Sequence, residues 1–280
     1  MHLLQAILMG IVQGLSEFLP ISSSAHIVFT SNFYKVYRHI EISQVAGQEV
    51  FFDIMLHLGT LIAVLVFFKK DIFKIIKSFY YGLKNKDFNN ADFKLGVYII
   101  IGTLLTVLIA VPLCEISEML VFMPAGVGIF LILTGFLLIS SEWISKKIKE
   151  KHDINIKSTV LIGLAQGLAS LPGFSRSGWT IAAGLITGCD RITAAKYSFL
   201  LSIPVILGAS MIYPITHINL SEIFLYNWTA IIVGTIVSGI TGYFCIKCFM
   251  KFLEKFSIAF FGYYCIIMGI LAYIFFIGKV

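Results

Sequence analysis

Charged residues are scarce in this chain of 280 residues. They make up 13% of it, against roughly 25% in soluble domains. Hydrophobic residues reach 58%, and the mean hydropathy is +0.92. This composition excludes a soluble globular protein and predicts an all-α polytopic integral membrane protein. Crossing a bilayer takes about 20 apolar residues, and six runs approach that length, at 51–68, 95–113, 122–140, 197–216, 228–246 and 257–277.

Lysine and arginine are missing from two of the segments between these runs. Segments 114–123 and 217–227 contain glutamates as their only charged residues, whereas lysines cluster within 69–94, 146–157 and 247–255. By the positive-inside rule, the lysine-rich loops are cytoplasmic and the acidic segments are external. The net charge of +6 is therefore interpreted as a signal of orientation, with Arg191 as a further cytoplasmic anchor, and not as a sign of nucleic-acid binding.

The sequence also lacks the signals of a zinc site and of a cleavable signal peptide. Cys245 and Cys248 form a C-x-x-C, but no second pair completes a zinc site, so the five cysteines are interpreted as small apolar packing residues. Residues 1–12 lack the positively charged start and the small-residue exit of a cleavable signal peptide. We therefore expect the N-terminal segment to belong to the fold.

Polar and charged side chains interrupt two shorter apolar stretches, at about 3–34 and 158–190. Each polar segment begins with Gln-Gly-Leu: the first reads QGLSEFLPISSSAH from residue 13, and the second reads QGLASLPGFSRSGWT from residue 166. Pro20 and Pro172 lie inside them, and proline cannot continue a helix. Each stretch is therefore predicted to form a re-entrant helical hairpin that is broken at its proline.

The Gln-Gly-Leu motif is one of three that recur in the same order along the chain. IIIGT at 99–103 recurs as AIIVGT at 230–235, and FLILTG at 130–135 recurs loosely as YCIIMG at 264–269. Three ordered matches predict that residues 1–280 form one membrane domain of two homologous halves, about 1–141 and 158–280. Three crossings in each half invert the second half relative to the first, so both termini are predicted on the outer face. In such an inverted-topology repeat, broken helices build a site near the bilayer midplane.

The two hairpin tips offer complementary chemistry. Gln13 and Glu17 are four residues apart and share one helix face, and the serines that follow suit a helix start, where hydroxyls act as caps. Helix N-termini, hydroxyl groups and the guanidinium of Arg176 together suit the oxygens of a phosphate. The candidate site residues are Gln13, Glu17, Ser22, Ser23, Ser24 and His26 of the first tip, and Ser175, Arg176, Ser177 and Thr180 of the second.

Each of these residues could instead have a purely structural role. Serines in membrane helices often only form hydrogen bonds between helices, a lone His26 is commonly interfacial, and Arg176 could be a structural counter-ion of Glu17. Two facing tips with complementary charge favour a functional site, because ionisable groups in a membrane mark function by default. Asp53 and His57 are interpreted as lining the external mouth of that site.

At these residues the chain resembles the bacterial undecaprenyl-diphosphate phosphatases, known as the bacitracin-resistance phosphatases, over its whole length. The resemblance rests on EFLPISSSAH at 17–26, PGFSRSG at 172–178 with Thr180, and YSFLLSIP at 197–204. Ser24-Ala25 replaces the Thr-Gly that the family usually has there, and Gln13 stands where an acid or a glutamine is found. The resemblance implies an enzyme of the bacterial cytoplasmic (inner) membrane that removes the terminal phosphate of a prenyl diphosphate and so recycles the lipid carrier of wall synthesis.

The resemblance also implies roles for the tip residues. It places Glu17, Ser22, Ser23 and His26 in the catalytic tip, and Ser175, Arg176, Ser177 and Thr180 in the phosphate-binding tip. Physically, Ser23 is the candidate nucleophile, with His26 or Glu17 as its base, while Arg176 stabilises charge on the transferred phosphoryl group and Gln13 and Ser24 contact the substrate. A Mg²⁺ or Ca²⁺ ion is expected to bridge Glu17 and the diphosphate, with no organic cofactor. Direct attack by water, a homodimeric assembly, and a lipid or anion transporter that uses the same site stay open alternatives.

Overall fold

The computed structural model describes residues 3–37, 47–217 and 226–278. In these ranges every regular element is an α-helix, which confirms the all-α prediction. The helices are α1 (Leu3–Ser16), α2 (Ser23–Tyr37), α3 (Gly47–Phe67), α4 (Lys69–Asn85), α5 (Ala91–Ala110), α6 (Cys114–Val121), α7 (Pro124–Lys147), α8 (Ile156–Leu168), α9 (Arg176–Thr187), α10 (Arg191–His217), α11 (Trp228–Lys255) and α12 (Ala259–Phe276).

Among the described helices, α5, α7, α10, α11 and α12 are long and apolar enough to cross a membrane. A sixth span, at the first predicted run, comes from α3, which bends by 76° into α4. This agrees with a polytopic membrane protein and, when the bent pair counts as one span, with six crossings. The predicted external segment at 217–227 lies mostly outside the described residues, so the orientation in the bilayer stays a prediction.

Several segments interpreted as loops are helical instead. The lysine-rich segment after the first span forms α4, which has Asp71 in its first turn and Lys84 in its last; both charges suit the helix dipole. The acidic segment forms the short helix α6, α10 begins at Arg191, and α11 continues through its lysines to Lys255. Lysine side chains favour helix and extend their charges toward water, so these charged segments are helical although they are not apolar.

The two broken stretches form short hairpins at the predicted places. Helices α1 and α8 have 14 and 13 residues, which is about 20 Å at 1.5 Å per residue, too short for a hydrocarbon core of about 30 Å. Pro20 lies between α1 and α2, and Pro172 lies between α8 and α9. At each break one residue adopts a positive φ, Ser22 at 70° and Gly173 at 100°.

Close glycine contacts join the helices in matching pairs. A Cβ atom on Gly10 of α1 would lie 2.6 Å from the carbonyl oxygen of Gly234 in α11, and one on Gly163 of α8 would lie 2.9 Å from that of Gly102 in α5. Small residues permit such backbone contact in membranes. The two pairs are equivalent in the predicted repeat. In each, the first helix of a broken hairpin in one half contacts a span of the other half. The limits of those halves stay a prediction.

Candidate active site

The two hairpin tips contact each other directly. The Ser177 hydroxyl donates to the Leu19 carbonyl at 3.0 Å, and the backbone N–H of Gly173 donates to Ser24 Oγ at 3.4 Å. A further bond, at 3.5 Å, runs from Ser22 Oγ to the carbonyl of Phe174. The polar segments that the sequence places about 150 residues apart therefore form one cluster.

Local capping explains the shape of the first tip. Helix α2 begins at Ser23, and Ser22 Oγ accepts the N–H of Ala25 at 3.2 Å as an N-cap; serine is a preferred residue there. Two thiols from the second half contact this hairpin: Cys245 Sγ donates to the Leu15 carbonyl at 3.2 Å and Cys265 Sγ to the Pro20 carbonyl at 3.5 Å. All five cysteines are free.

The second tip is held by Thr134 of α7, a residue that sequence reasoning missed. Its Oγ1 atom accepts the N–H of Ser175 at 3.3 Å and the indole N–H of Trp179 at 3.1 Å, and donates to the Gly173 carbonyl at 3.3 Å. Ser175 in turn caps α9, because its Oγ accepts the N–H of Gly178 at 3.1 Å. The helix therefore begins at Arg176.

The buried carboxylate of Glu17 is the centre of the cluster. Its Oε1 atom lies 2.5 Å from Arg176 Nη2. Its Oε2 atom accepts the Gln13 side-chain amide at 3.0 Å and the Ser23 hydroxyl at 2.6 Å. The predicted pairing of Ser23 as nucleophile with Glu17 as base needs a hydrogen bond of this kind.

One guanidinium nitrogen of Arg176 is not used in the contact with Glu17. Its Nη1 atom is buried and has no hydrogen-bond partner among the described residues, although buried donors are nearly always satisfied. The same side chain is anchored on Glu17 through Nη2. A guanidinium holds phosphate oxygens in its planar fork, so the arrangement offers a fixed, unsatisfied cationic donor near the Ser23 hydroxyl.

His26 makes its contacts away from Ser23. Its Nδ1 atom donates to the Ser22 carbonyl at 2.8 Å, and its Nε2 atom lies 2.7 Å from the Tyr264 hydroxyl of α12. Of the two candidate bases, only Glu17 therefore contacts Ser23 here. Tyr264 belongs to the YCIIMG segment, which the sequence analysis used only as evidence of the repeat, and its hydroxyl in an apolar helix was the available signal.

The hydroxyls of the second tip are occupied within the protein. Thr180 Oγ1 donates to the Arg176 carbonyl at 2.8 Å and contacts Ser198 Oγ at 2.6 Å, and Ser175 and Ser177 are buried in the contacts given above. These residues fix the turn that carries Arg176. Their predicted contact with phosphate stays a prediction, whereas Ser23 and Ser24 are partly exposed.

His57 lies closer to the centre than the sequence indicated. Its Nε2 atom is 3.7 Å from Glu17 Oε2, and its Nδ1 atom donates to the Asp53 carbonyl at 2.9 Å. Arg191 also has a partner, since it forms an ion pair with the buried Glu142 of α7, a structural contact that the anchor interpretation did not include. His57 on α3 and Glu142 on α7 each contact a group 40 or more residues away in the sequence.

A divalent cation has few free ligands in this cluster. The described residues contain no group of three or more His, Cys, Asp or Glu side chains arranged to hold a metal. The Gln13 Oε1 atom is buried without a hydrogen-bond partner beside Glu17. One carboxylate and one amide oxygen fit a Mg²⁺ ion that takes its other ligands from water and substrate phosphate.

The chain is similar to proteins of known name over its whole length. Residues 6–271 match the bacitracin resistance protein BacA family. The undecaprenyl-diphosphatase of Methanobrevibacter smithii is 38% identical, over 98% of this chain and 97% of its own. Proteins of the same name from Halothermothrix orenii, at 38% over 97% of both chains, and Moorella thermoacetica, at 34% over 100% of both, are also similar.

Proposed function

The chain belongs to the bacitracin resistance protein BacA family, and we propose that it hydrolyses undecaprenyl diphosphate to undecaprenyl phosphate and inorganic phosphate. The observation that carries this proposal is the pairing of Ser23 with the Glu17 carboxylate beside the unsatisfied Nη1 atom of Arg176. The reaction returns the lipid carrier to cell-wall synthesis. It also removes the diphosphate form of the carrier and so confers resistance to bacitracin.

The contacts of Ser23 define the first chemical step. Its Oγ atom attacks the terminal phosphorus, while its proton passes to Glu17 Oε2, 2.6 Å away. The Oγ–P bond forms as the bond from phosphorus to the bridging oxygen breaks, and the lipid phosphate leaves with the electron pair. Arg176 and the N-terminus of α2 stabilise the charge on the phosphoryl oxygens. Water then cleaves the phosphoserine and restores the Ser23 hydroxyl.

Glu17 and Gln13 are the residues that would hold a Mg²⁺ or Ca²⁺ ion. Such an ion would neutralise part of the diphosphate charge. The Gln13 Oε1 atom supports this assignment because it is buried and unpaired. Its amide nitrogen already fixes the Glu17 carboxylate at 3.0 Å, so the two ligands are held together in advance.

The prenyl chain has an apolar groove beside the first tip. A groove of about 580 Å³ is lined by Leu15 and Leu19 of the first hairpin, by α11 residues such as Cys248 and Phe252, and by Phe261 of α12. Ligand sites commonly measure about 300–1,000 Å³. Leu15 and Leu19 flank Glu17 in sequence, so a chain attached to the bound diphosphate enters this groove.

Phosphate release from purified protein tests the function. The full chain in detergent, given farnesyl or undecaprenyl diphosphate, should release inorganic phosphate, and Ser23→Ala should not. A lipid or anion transporter would need the same anion site but would release no inorganic phosphate, because it moves its substrate across a membrane without cleaving it. The names of the relatives favour the enzyme.

A further inference from the structure

Helix α4 leaves a membrane span at a steep angle. The preceding helix, α3, has 21 residues, which is about 30 Å at 1.5 Å per residue and matches the thickness of a hydrocarbon core. The chain then bends by 76° into α4. Helix α4 therefore begins where the hydrocarbon ends, and it runs closer to the plane of the membrane than to the membrane normal.

One face of α4 packs on the ends of two other spans. The ring of Phe79 stacks on that of Phe93, with centroids 5.3 Å apart, and Asp71 pairs with Lys196 at 2.6 Å. Phe93 lies in the first turn of α5, and Lys196 lies in the second turn of α10. Because α5 and α10 are long and apolar enough to cross a membrane, contacts at their ends place α4 at the level of the membrane interface.

A second face of α4 is apolar and exposed. This apolar stripe consists of Phe73, Ile76, Tyr80 and Leu83. Steps of three and four residues align these side chains along one side of a helix. With the described residues in place, their exposed fractions are 67%, 63%, 60% and 56%. A continuous row of large apolar side chains on the outside of a charged helix marks a surface that contacts something other than water.

A third face carries the lysines. This lysine row consists of Lys70, Lys74, Lys77 and Lys84, which are all exposed. At 3.6 residues per turn the row lies about a quarter of a turn from the apolar stripe, on the side away from the packed face. Asp71 is the one acidic residue of α4, and it pairs with Lys196 on the packed face. No acid of the same helix therefore offsets the charge of the row.

This combination of faces fits a lipid surface. A helix in the interface plane that has an apolar side bordered by lysines inserts that side about 5–10 Å into the boundary between headgroups and acyl chains. Lysines beside it then lie among the headgroups, where they attract anionic phospholipids. A role in orientation alone requires positive charge near the end of a span, but it does not require the apolar stripe next to the row.

We propose that α4 is a binding site for anionic phospholipid. The apolar stripe contacts the acyl chains, and the lysine row binds the phosphate groups of the same lipids. The packed face holds both at the ends of α5 and α10, through Phe93 and Lys196. This site is separate from the hairpin tips and does not depend on the reaction proposed for them.

The test uses the purified full chain in lipid nanodiscs, in which both membrane faces are accessible. Cys114→Ser and Cys248→Ser remove the two exposed thiols, while the other three cysteines are buried. A single new cysteine, Tyr80→Cys in the stripe or Lys74→Cys in the row, then carries a fluorophore. Lipids with brominated acyl chains quench a probe in the hydrocarbon, and iodide quenches a probe in water.

The same quenching measures the preference for anionic lipid. Brominated phosphatidylglycerol and brominated phosphatidylcholine are compared at equal fractions with the probe at Tyr80→Cys. One variant replaces Lys70, Lys74 and Lys77 by glutamine. The matched control makes the same change of charge in α11, where it replaces the exposed lysines Lys247, Lys251 and Lys255.

Brominated lipid should quench the probe at Tyr80→Cys, and iodide should quench the probe at Lys74→Cys. Phosphatidylglycerol should be preferred about fivefold or more, and the preference should disappear in the α4 variant but not in the α11 control. About 1 M NaCl, which screens charges beyond about 3 Å, should also weaken it.

Three results would overturn the site. Quenching of the Tyr80→Cys probe by iodide would place the stripe in water, and quenching by neither agent would mean that protein covers it. Equal affinity for the two lipids, or a preference that survives replacement of the lysines, would exclude headgroup binding by the row. If the α4 variant does not fold, a preference that about 1 M NaCl leaves unchanged in the chain with its lysines intact overturns the site.

Discussion

Arg176 binds Glu17 through one guanidinium nitrogen, Nη2, at 2.5 Å, while its other terminal nitrogen, Nη1, is buried and unpaired. The sequence left open whether Arg176 is a structural counter-ion or a phosphate ligand. The geometry allows both, because one nitrogen fixes the side chain and the other has no acceptor in the part of the chain that the structure describes. A guanidinium anchored in this way loses little freedom when it binds an anion.

Replacing Arg176 by lysine should remove most of the activity although the charge is kept. Lysine has a single ammonium group and cannot bind Glu17 and phosphate with two separate nitrogens. We expect kcat/KM to fall about a hundredfold, the order that loss of a transition-state donor produces. Arg191→Lys is the matched control, since Arg191 pairs with Glu142 away from the tips. Near-wild-type kinetics in Arg176→Lys would exclude the clamp.

Replacing Ser23 by alanine should abolish turnover but not binding. Arg176 and the helix N-terminus remain, so the variant should still bind an uncleaved substrate analogue in a direct binding assay. Ser24→Ala removes a neighbouring hydroxyl and should lose less activity, because Ser24 does not contact Glu17. A Ser23→Ala enzyme that keeps more than about a tenth of the rate has lost under roughly 1.4 kcal/mol of barrier stabilisation. Water would then be the nucleophile, and Ser23 a phosphate ligand.

A methyl group at Gly135 should destabilise the contact between α7 and α12. The new Cβ atom would lie 2.5 Å from the carbonyl oxygen of Gly262, on a rigid helix backbone. Overpacking of this kind costs about 1–3 kcal/mol, so the thermal midpoint in detergent should fall. Gly208→Ala in α10 is the control, since nothing lies within 4 Å of its added Cβ, and alanine favours helix. Equal midpoints in both variants would contradict the close contact.

Cysteine labelling should reveal the orientation in the membrane. Single cysteines at Lys84, Lys151 and Met119 are placed in a cysteine-free background and treated on intact cells with a membrane-impermeant thiol reagent. The lysine distribution predicts protection at Lys84 and Lys151 and labelling at the exposed Met119 of α6. Permeabilised cells should label all three positions. Labelling of Lys84 in intact cells would invert the proposed topology.

A bulky residue in the apolar groove should affect long substrates only. Cys248 is exposed and lines the groove, so Cys248→Trp fills part of it without disturbing buried packing. We expect KM for undecaprenyl diphosphate to rise about threefold or more, because each buried CH₂ group contributes about 0.8 kcal/mol, with no change for farnesyl diphosphate. Ile232→Trp, on the exposed face of the same helix, should change neither constant. Equal effects on both substrates would place the prenyl chain elsewhere.

Local rules accounted for much of the fold. Pro20 and Pro172 ended the half-helices because proline lacks an N–H group and clashes with the preceding turn, and both breaks lie where they were predicted. The apolar runs located the spans, although α7 and α11 continue seven and nine residues beyond the ends of their runs. The lysine-rich segment after the first span is helical although it is not apolar, so the interpretation of α4 as a loop was wrong.

The sequence by itself determined the membrane class, the two broken hairpins and the identity of the polar groups at their tips, because these depend on composition and on neighbours within a few residues. Only the tertiary structure decided which of those groups meet. It placed Glu17 rather than His26 on Ser23, turned His26 to Tyr264, and brought His57 to Glu17. These contacts join residues on separate helices, and their distances follow from how closely the glycine-lined helices approach, which no local pattern encodes.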